Sequence, residues 1–338
     1  MVRTSLLLSA VVLVFAGLHF ASAILAPTAA ALFVIAVVWP LQNALQARMP
    51  TLLATIITLF VTVAVIGILV YLLVWGFGLV FQWLLNNTAR FQTLYLQAMD
   101  WLGDHGIAAK NFMTDNYNPG WIAGPAREVA GRSYRLTTFV VIVFAFVALG
   151  LLEVDVIRRN IQRIGDNELQ QSLLRAGRRI AVKFQRYMIV RSVMSVLTGL
   201  IVWCFALVAG IELATAWGII AFVFNYIPFL GPLFATIFPT IFALVQFGSW
   251  QLAIGIFAFL NIVQFVTGSY MEPRIAGAAL SISPFVVLFS VFFWSFLWGI
   301  PGAFIGLPVT IALFTVCEWN PSSRWIARLV STSQEDCP

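Results

Sequence analysis

The sequence predicts an all-α polytopic membrane protein with about seven or eight transmembrane helices. Of its 338 residues, 61% are hydrophobic and only 9% are charged, whereas a soluble domain has about 25% charged residues. Several apolar runs reach the ~20 residues that a helix needs to cross hydrocarbon. The runs are Leu52–Leu85, Thr137–Leu152, Val193–Ile211 and Phe285–Val316. They are continuous, whereas the strands of a membrane β-barrel alternate apolar and polar residues.

The N-terminal segment has two interpretations. A basic start, an apolar middle and the small residues Ala21-Ser22-Ala23 are typical of a cleaved signal peptide. However, the apolar run resumes directly after Pro27, which favours retention of the segment. We therefore expect Leu6–Leu25 and Thr28–Trp39 to form the two legs of a hairpin, within an N-terminal transmembrane region of residues 1–85.

The distribution of Lys and Arg predicts the orientation. Nine of the nineteen basic residues lie between Glu153 and Arg191, so this loop should be cytoplasmic. The N-terminus and the tail, residues 317–338, should then also be cytoplasmic, and residues 86–135 should lie outside. In that outer segment, basic and acidic residues are nearly balanced. They are Arg90, Lys110, Arg127, Arg132 and Arg135 against Asp100, Asp104, Asp115 and Glu128.

The apolar run Leu52–Leu85 is longer than one membrane crossing requires, and the outer segment follows it. Leu52–Leu85 would be about 51 Å long as one helix, so it must tilt, bend or project from the bilayer. Asn87-Thr88 can cap a following amphipathic helix. The apolar face of that helix would contain Phe91, Leu94, Tyr95, Ala98 and Leu102. Pro125 should prevent residues 86–135 from forming one long helix, and a transmembrane helix of residues 136–156 should follow.

The cytoplasmic loop, residues 157–190, predicts two amphipathic helices. Isoleucines recur at helical spacing before Gly165-Asp166, which should end the first helix and cap the second. A second apolar stripe follows, and the arginines occupy the other faces. We expect these arginines to contact anionic headgroups of membrane lipid rather than nucleic acid.

The sequence lacks the motifs of common catalytic chemistry. Its two histidines, His19 and His105, are far apart and form no metal-ligand spacing, and its three cysteines form no CxxC. No Walker-type phosphate loop or Ser/His/Asp arrangement is evident. We therefore predict that the protein is not an enzyme and that it needs no metal or other cofactor.

The C-terminal transmembrane region, residues 191–316, contains three helices broken by Pro and Gly. The broken segments are Phe224–Pro239, Ser269–Pro284 and Phe293–Phe314. Irregular backbone at membrane depth survives only when it is buried in protein or lines a cavity, and paired broken helices indicate a transporter binding site. Re-entrant hairpins, structural kinks and tight turns between spans remain alternatives.

Four segments carry a family resemblance. The runs Arg186–Gly199, Asn225–Pro232, Glu272–Gly277 and Phe293–Thr310 resemble the autoinducer-2 exporter (AI-2E) family of bacterial inner-membrane transporters. The resemblance implies export of small polar signalling molecules or related solutes, with antiport coupled to an ion. It also implies a homo-oligomer, a pentamer, in which a mobile transport unit moves against a scaffold.

The resemblance also implies a solute or ion pathway made of three elements. By position, these are Asn225, Pro228, Gly231 and Pro232; then Glu272, Pro273, Arg274 and Gly277; and then Gly299, Gly302 and Pro308. Ala276 and Ala278 depart from the family pattern, where bulkier or basic residues are common. This departure bears on the identity of the solute more than on the fold.

Two functional hypotheses follow. In the first, the protein exports a small polar solute by alternating access, driven by the solute gradient or by exchange with H⁺ or Na⁺. Glu272 would be the coupling carboxylate, Arg274 its partner or an anion ligand, and Asn225, Asn261 and Gln264 would supply neutral hydrogen bonds. In the second, the protein is a membrane scaffold or passive pore, the basic loop docks a partner, and the breaks serve only tight packing.

Overall fold

The computed structural model describes residues 2–90, 93, 97, 120–276 and 283–319. These residues form helices and turns, with no strand among them, so the all-α prediction is confirmed. Seven helices in this part of the chain are long and apolar enough to cross a membrane, which agrees with the predicted seven or eight. Two further apolar helices are shorter, Ala214–Phe224 and Pro284–Trp298.

The helices are numbered here in chain order. A π-helix, Val266–Met271, lies between α8 and α9. The α-helices are α1 (Val2–Phe20), α2 (Ser22–Gln46), α3 (Thr51–Asn86), α4 (Gly120–Gln162), α5 (Asn167–Val208), α6 (Ala214–Phe224), α7 (Leu230–Phe247), α8 (Trp250–Phe265), α9 (Glu272–Ala276), α10 (Pro284–Trp298) and α11 (Ile300–Trp319).

The predicted hairpin at the N-terminus is wrong. Helix α2 runs through Pro27, and the break lies earlier, at Ala21. Ala21 keeps near-helical backbone angles, with φ −84° and ψ 9°, and the Ala21 and Leu25 amides donate to Gly17 and Ala21 carbonyls at 2.9 Å. Pro27 removes only one helical hydrogen bond, and its ring is fully buried. Packing therefore outweighs the local cost of the proline, and the chain bends rather than turns back.

Helix α3 is a single helix of 36 residues, as the long apolar run predicted. Asn87 belongs to its end: the Asn87 side-chain Nδ2 donates to the Trp83 carbonyl at 2.9 Å. We had expected Asn87 to cap the next helix instead. All five residues of that predicted amphipathic face lie outside the described residues. Helix α4 passes through Pro125, so this proline does not break the helix around it, and its missing amide costs one hydrogen bond. Residues 98–119 lie outside the described structure, so the prediction that residues 86–135 do not form one long helix stays a prediction.

The predicted boundary at Gly165-Asp166 is confirmed. The Asp166 carboxylate accepts from the Glu168 amide at 2.9 Å and the Leu169 amide at 3.1 Å, which caps α5. Helix α5 then continues for 42 residues, about 63 Å at 1.5 Å per residue. The predicted second cytoplasmic helix and the next transmembrane helix are therefore one rigid element, which crosses the predicted boundary between residues 157–190 and 191–316.

The largest core cluster lies around α6. Trp217 is 2% exposed and contacts Phe242 of α7, with ring centroids 5.1 Å apart. Trp83 of α3 packs on the same Phe242 ring at 4.2 Å. Helix α6 has only 11 residues, too few to cross hydrocarbon. It therefore lies as a short buried helix among α3, α5 and α7.

Helices α10 and α11 form a tight helical hairpin. Gly299 joins them with φ 68°, a left-handed conformation that favours glycine. A Cβ at Gly302 would lie 1.8 Å from the Trp294 carbonyl oxygen, so only glycine permits this approach. The Trp294 indole Nε1 donates to Thr310 Oγ1 at 3.0 Å and fastens the two helices. This break is a turn between two helices, one of the alternatives left open by the sequence.

Candidate functional site

One face of α5 carries a buried polar stripe. Its members are Tyr187, Arg191, Ser195 and Thr198 (the α5 polar stripe), which are 4%, 7%, 0% and 0% exposed. The spacing of three or four residues places them on one side of the helix. Burying polar side chains costs free energy unless partners replace water. The stripe is therefore a candidate functional surface, and its partners come from the broken segments.

The strongest contact of the stripe is an ion pair. Arg191 Nη1 donates to Glu272 Oε2 at 3.2 Å, and the two side chains are 8% and 25% exposed. The Arg191 guanidinium also lies 5.7 Å from the centre of the Tyr187 ring, within the range of a cation–π contact. Glu272 of α9 is thus held against α5 by a cation that lies on a different transmembrane element.

The structure gives Arg274 a different position from the one expected. Arg274 is exposed, and its guanidinium lies 4.1 Å from the centre of the Tyr270 ring. The ion-pair partner of Glu272 is Arg191, so the expected Glu272–Arg274 pair is not formed. Pro273 directly follows Glu272, where the π-helix continues without interruption into α9, so its missing amide falls at the change of helical hydrogen-bond pattern. Gly277 lies outside the described residues.

The segment before Glu272 winds as a π-helix. Val266–Met271 is the only π-helical stretch in the described chain, and such bulges occur frequently at functional sites. Just before it, Gln264 is 8% exposed and its Nε2 has no hydrogen-bond partner among the described residues. Asn261 differs, because it is exposed and donates to the Phe257 carbonyl of its own helix at 2.8 Å. Gln264 therefore faces protein, whereas Asn261 lies outside the buried site.

Three contacts fix how α8 and the π-helix run along α5. The Phe205 and Phe259 rings stack at 4.0 Å, Met271 packs beside Met194, and Glu272 pairs with Arg191. Along these three contacts the residue numbers fall on α5 and rise on the other element, so the two elements are antiparallel. In this register Thr198 of α5 lies at about the same height as Gln264 and the start of the π-helix.

The first broken element docks on the same helix. The break is the turn Asn225–Phe229 between α6 and α7. Asn225 is 6% exposed, and its Nδ2 donates to Ser195 Oγ at 3.4 Å. The Tyr226 hydroxyl donates to Ser192 Oγ at 3.1 Å. Two adjacent residues of the break thus bind two hydroxyls of α5, which brings this turn to the α5 polar stripe.

Proline and glycine explain the shape of that turn. Pro228 is buried within it, and a Cβ on Gly231 would lie 2.4 Å from the Phe224 carbonyl oxygen. Pro232 lies at the third position of α7, and its carbonyl accepts from Thr236 Oγ1 at 3.0 Å. Pro228, Gly231 and Pro232 therefore shape the turn, and the polar contacts come from Asn225 and Tyr226.

The third element supports the site without adding a polar group to it. Gly299 and Gly302 form the α10–α11 turn, and Pro308 is buried inside α11. Leu307 and Ile311 of α11 pack in one cluster with Phe184 and Tyr187 of α5. The hairpin thus contributes an apolar wall beside Tyr187.

Sequence analysis did not identify the α5 residues. Arg191 was counted only as one of the basic residues that set orientation, and Tyr187, Ser192, Ser195 and Tyr226 were not singled out. A signal was present: polar residues at intervals of three or four enter an otherwise apolar span. The partner of each residue is distant along the chain, so that signal alone does not name the pairs.

The unpartnered atoms of the site share a chemical property. Three buried side-chain atoms of the α5 polar stripe have no hydrogen-bond partner among the described residues, Tyr187 Oη, Arg191 Nε and Thr198 Oγ1, and neither has Gln264 Nε2 of α8. All four can donate a hydrogen bond. The described residues contain no group of three or more His, Cys, Asp or Glu that could hold a metal ion.

Comparison with known proteins gives the family. The model of the AI-2E family transporters matches residues 8–319, nearly the whole chain. The chain belongs to the AI-2E family of transporters. The match covers all three broken elements and the α5 polar stripe, so the resemblance read from four sequence segments is confirmed.

Individual relatives agree with the assignment of this chain to the AI-2E family. It is 26% identical over 336 residues to the AI-2 transport protein TqsA of Escherichia coli (strain K12), which covers 96% of this chain and 94% of that protein. A putative transport protein of Haemophilus influenzae is 25% identical over 352 residues, with 98% and 97% covered. The putative transport protein YhhT of Escherichia coli (strain K12) is 31% identical over 156 residues, which cover 46% of this chain and 43% of that protein. The chain is therefore a multi-pass membrane protein of a bacterial transporter family, and this family is not one of enzymes.

Proposed function

We propose that this protein is a secondary transporter that exports a small polar solute, autoinducer-2 or a related metabolite. It would act by alternating access in the bacterial inner membrane, with both termini in the cytoplasm. A gradient of H⁺ or Na⁺ would be coupled to export through Glu272. The protein would assemble as a homo-oligomer, a pentamer in the family pattern.

The observation that carries the proposal is the Arg191–Glu272 ion pair beside the π-helix. Two charges removed from water are costly, so they are kept where their interaction has a use. Here the carboxylate lies on a five-residue helix next to irregular backbone, and the arginine lies on the long helix α5. An ion pair that joins a short, irregular element to a rigid one is suited to opening and closing in a transport cycle.

The broken elements support alternating access. The Asn225–Phe229 turn binds α5 through only two side-chain hydrogen bonds, at 3.4 and 3.1 Å. The π-helix and α9 bind it through the ion pair and apolar contacts. The π-helix and α9 would therefore leave α5 with the loss of one ion pair and apolar contacts, whereas the Asn225–Phe229 turn follows α6, which packs closely on α5 through Gly199 and Gly218.

The coupling role of Glu272 follows from its position. Its side chain is 25% exposed, so an ion can reach it, yet its partner Arg191 is nearly buried. A proton or Na⁺ on the carboxylate would weaken its attraction to Arg191 and release α9 from α5. Occupation of Glu272 by the coupling ion would then bias the conformational equilibrium, as differential binding requires.

The proposal is tested by counterflow in proteoliposomes that contain the purified protein. The panel includes autoinducer-2 and other small polar solutes, with and without imposed H⁺ and Na⁺ gradients. We expect saturable flux that responds to one gradient, and loss of that response in Glu272→Gln. The matched control is Lys183→Gln, which removes one partner of the more exposed Lys183–Glu318 pair.

Three results would contradict the proposal. Gradient-driven flux that is unchanged in Glu272→Gln would remove the coupling role of this carboxylate. Absence of flux for every solute, in vesicles where size-exclusion chromatography confirms assembly, would favour a membrane scaffold. Flux that is neither saturable nor sensitive to a gradient would indicate a passive pore.

A further inference from the structure

The Arg191–Glu272 ion pair uses only part of the hydrogen-bonding capacity of the arginine. A guanidinium has five N–H donors in a planar fork that fits two oxygens of a carboxylate or phosphate. The pair uses one contact, Nη1 to Oε2 at 3.2 Å, which is longer than the 2.7–2.9 Å typical of a charge-assisted hydrogen bond. Arg191 Nε is buried and has no partner among the described residues. Glu272 therefore satisfies only some of the hydrogen-bond donors of Arg191.

The surroundings of Arg191 add a further donor. The Tyr187 hydroxyl is buried without a hydrogen-bond partner in the described structure, and its ring lies beside the guanidinium. A buried donor without an acceptor is costly. Arg191 Nε and the Tyr187 hydroxyl, one helical turn apart on α5, therefore indicate a ligand that offers acceptor oxygens at this point of the helix.

We propose that Arg191 is the recognition site for a small solute that carries an oxyanion, a carboxylate or a phosphate, and that Glu272 occupies this site in its absence. The solute's two oxygens would bind Arg191 Nε and an Nη together, which the single contact with Glu272 does not achieve. The inference rests on the proposed transport function and names the chemical class of its solute.

This exchange of partners links binding to motion. Glu272 leaves Arg191 more readily when another anion replaces it, because a buried arginine without a counter-charge is strongly unfavourable. The oxyanion therefore releases α9 from α5, and the proton or Na⁺ taken up by Glu272 acts in the same direction. The ionisable and charged groups that contact or neighbour Glu272 among the described residues are Arg191 and Tyr187 of α5, Tyr270 of the π-helix and Arg274 of α9.

The test measures binding with solutes that differ mainly in charge. Lactate is compared with lactamide, and glycerol 3-phosphate with glycerol, through ligand-dependent thermal unfolding of the full-length protein in nanodiscs of phosphatidylcholine. We expect both anions, but neither neutral counterpart, to raise the Tm of the wild type. Arg191→Gln should abolish the shift, Arg191→Lys should retain part of it, and Lys183→Gln should behave as wild type.

The Glu272→Gln variant distinguishes a carboxylate that competes with the solute from one with a purely structural role. Removing the competing carboxylate should lower the Kd for lactate by about tenfold or more, the change expected when a charge-assisted competitor is lost. A general structural role for Glu272 would instead weaken binding. If Arg191→Gln does not fold, the double variant Arg191→Gln/Glu272→Gln, which carries no buried charge, replaces it and should bind no anion.

The outcomes separate this inference from transport itself. Wild-type anion binding in the double variant, or an unchanged Kd in Glu272→Gln, would overturn it. So would stabilisation by phosphatidylglycerol nanodiscs but not by soluble anions, since the ligand would then be a lipid headgroup. Flux of neutral solutes that is insensitive to Arg191→Gln would retain transport and reject the oxyanion site. Anion binding without flux of any solute would retain the site and reject transport.

Discussion

Arg191 Nη1 lies 3.2 Å from Glu272 Oε2, although the two residues are 81 positions apart in the chain. The contact joins the long helix α5 to the short helix α9 directly after the π-helix. It brings together a buried cation, a partly exposed carboxylate and a break in helical geometry. These three features make it the centre of the proposed transport site.

The first prediction concerns the stability of this pair. Glu272→Ala should lower the free energy of unfolding by about 3–5 kcal/mol, because it leaves Arg191 buried without a counter-charge. Replacing both residues with Met should cost less than Glu272→Ala alone. Denaturant unfolding in detergent measures both changes.

The matched control for the ion pair is Glu318→Ala. Its pair with Lys183 has side-chain exposures of 26% and 46%, and exposed pairs contribute about 0–1 kcal/mol. Equal losses in Glu272→Ala and Glu318→Ala would show that burial does not strengthen the dependence on Glu272.

The second prediction concerns Gln264. Its Nε2 is buried without a partner in the described structure, so Gln264→Leu removes a cost of about 1–3 kcal/mol and should raise or preserve the Tm. The same change should reduce solute flux in counterflow, because a donor to the solute is lost. Gln251→Leu, at an exposed position, serves as the control. A lower Tm with normal flux would assign Gln264 to structure instead of transport.

The third prediction tests how the first broken element docks on α5. Tyr226→Phe and Ser192→Ala each remove the same hydrogen bond of 3.1 Å, so each should cost about 0.5–1.5 kcal/mol. The double variant should lose little more than either single variant. Both single variants should also change the rate of counterflow. Additive losses in the double-mutant cycle would mean that the two hydroxyls act independently.

The fourth prediction concerns the α10–α11 hairpin. Gly302→Ala should destabilise the protein by more than about 3 kcal/mol, above the usual cost of overpacking, because the new Cβ would lie against backbone. A Cβ built on Gly302 would lie 1.8 Å from the Trp294 carbonyl oxygen. Gly255→Ala, where a Cβ meets nothing within 4 Å, should be neutral or stabilising by up to ~1 kcal/mol. Thermal unfolding compares the two variants, and similar Tm values would contradict the close approach.

The fifth prediction concerns the start of α5. Asp166→Ala should cost about 1 kcal/mol, since the amides of Glu168 and Leu169 lose their acceptor. Hydrogen exchange at these two amides should become faster. Asp166→Asn keeps a capping oxygen and should remain close to wild type. Unchanged exchange in Asp166→Ala would show that another group caps the helix.

Much of the fold was predictable because its causes are local. Long apolar runs specify spans, since the bilayer sets a minimum length, and Asp166 specifies a cap through its own side chain. The prolines were less reliable guides. Pro228 and Gly231 break a helix as expected, but Pro27 and Pro125 do not. A proline removes one hydrogen bond, and whether the helix continues depends on neighbours that packing supplies.

The candidate site was likewise predictable only in part from the sequence. The sequence by itself determined a helical membrane protein, the positions of the breaks in its C-terminal half, and Glu272, Gln264 and Asn225 as polar groups near them. Only the tertiary structure decided that Glu272 pairs with Arg191 and not with Arg274, and that Gln264 is buried while Asn261 is exposed. The physical reason is that local propensity acts within a few residues, whereas these contacts depend on the antiparallel register of α5 with α8. That register is set by the packing of side chains that are far apart in the chain.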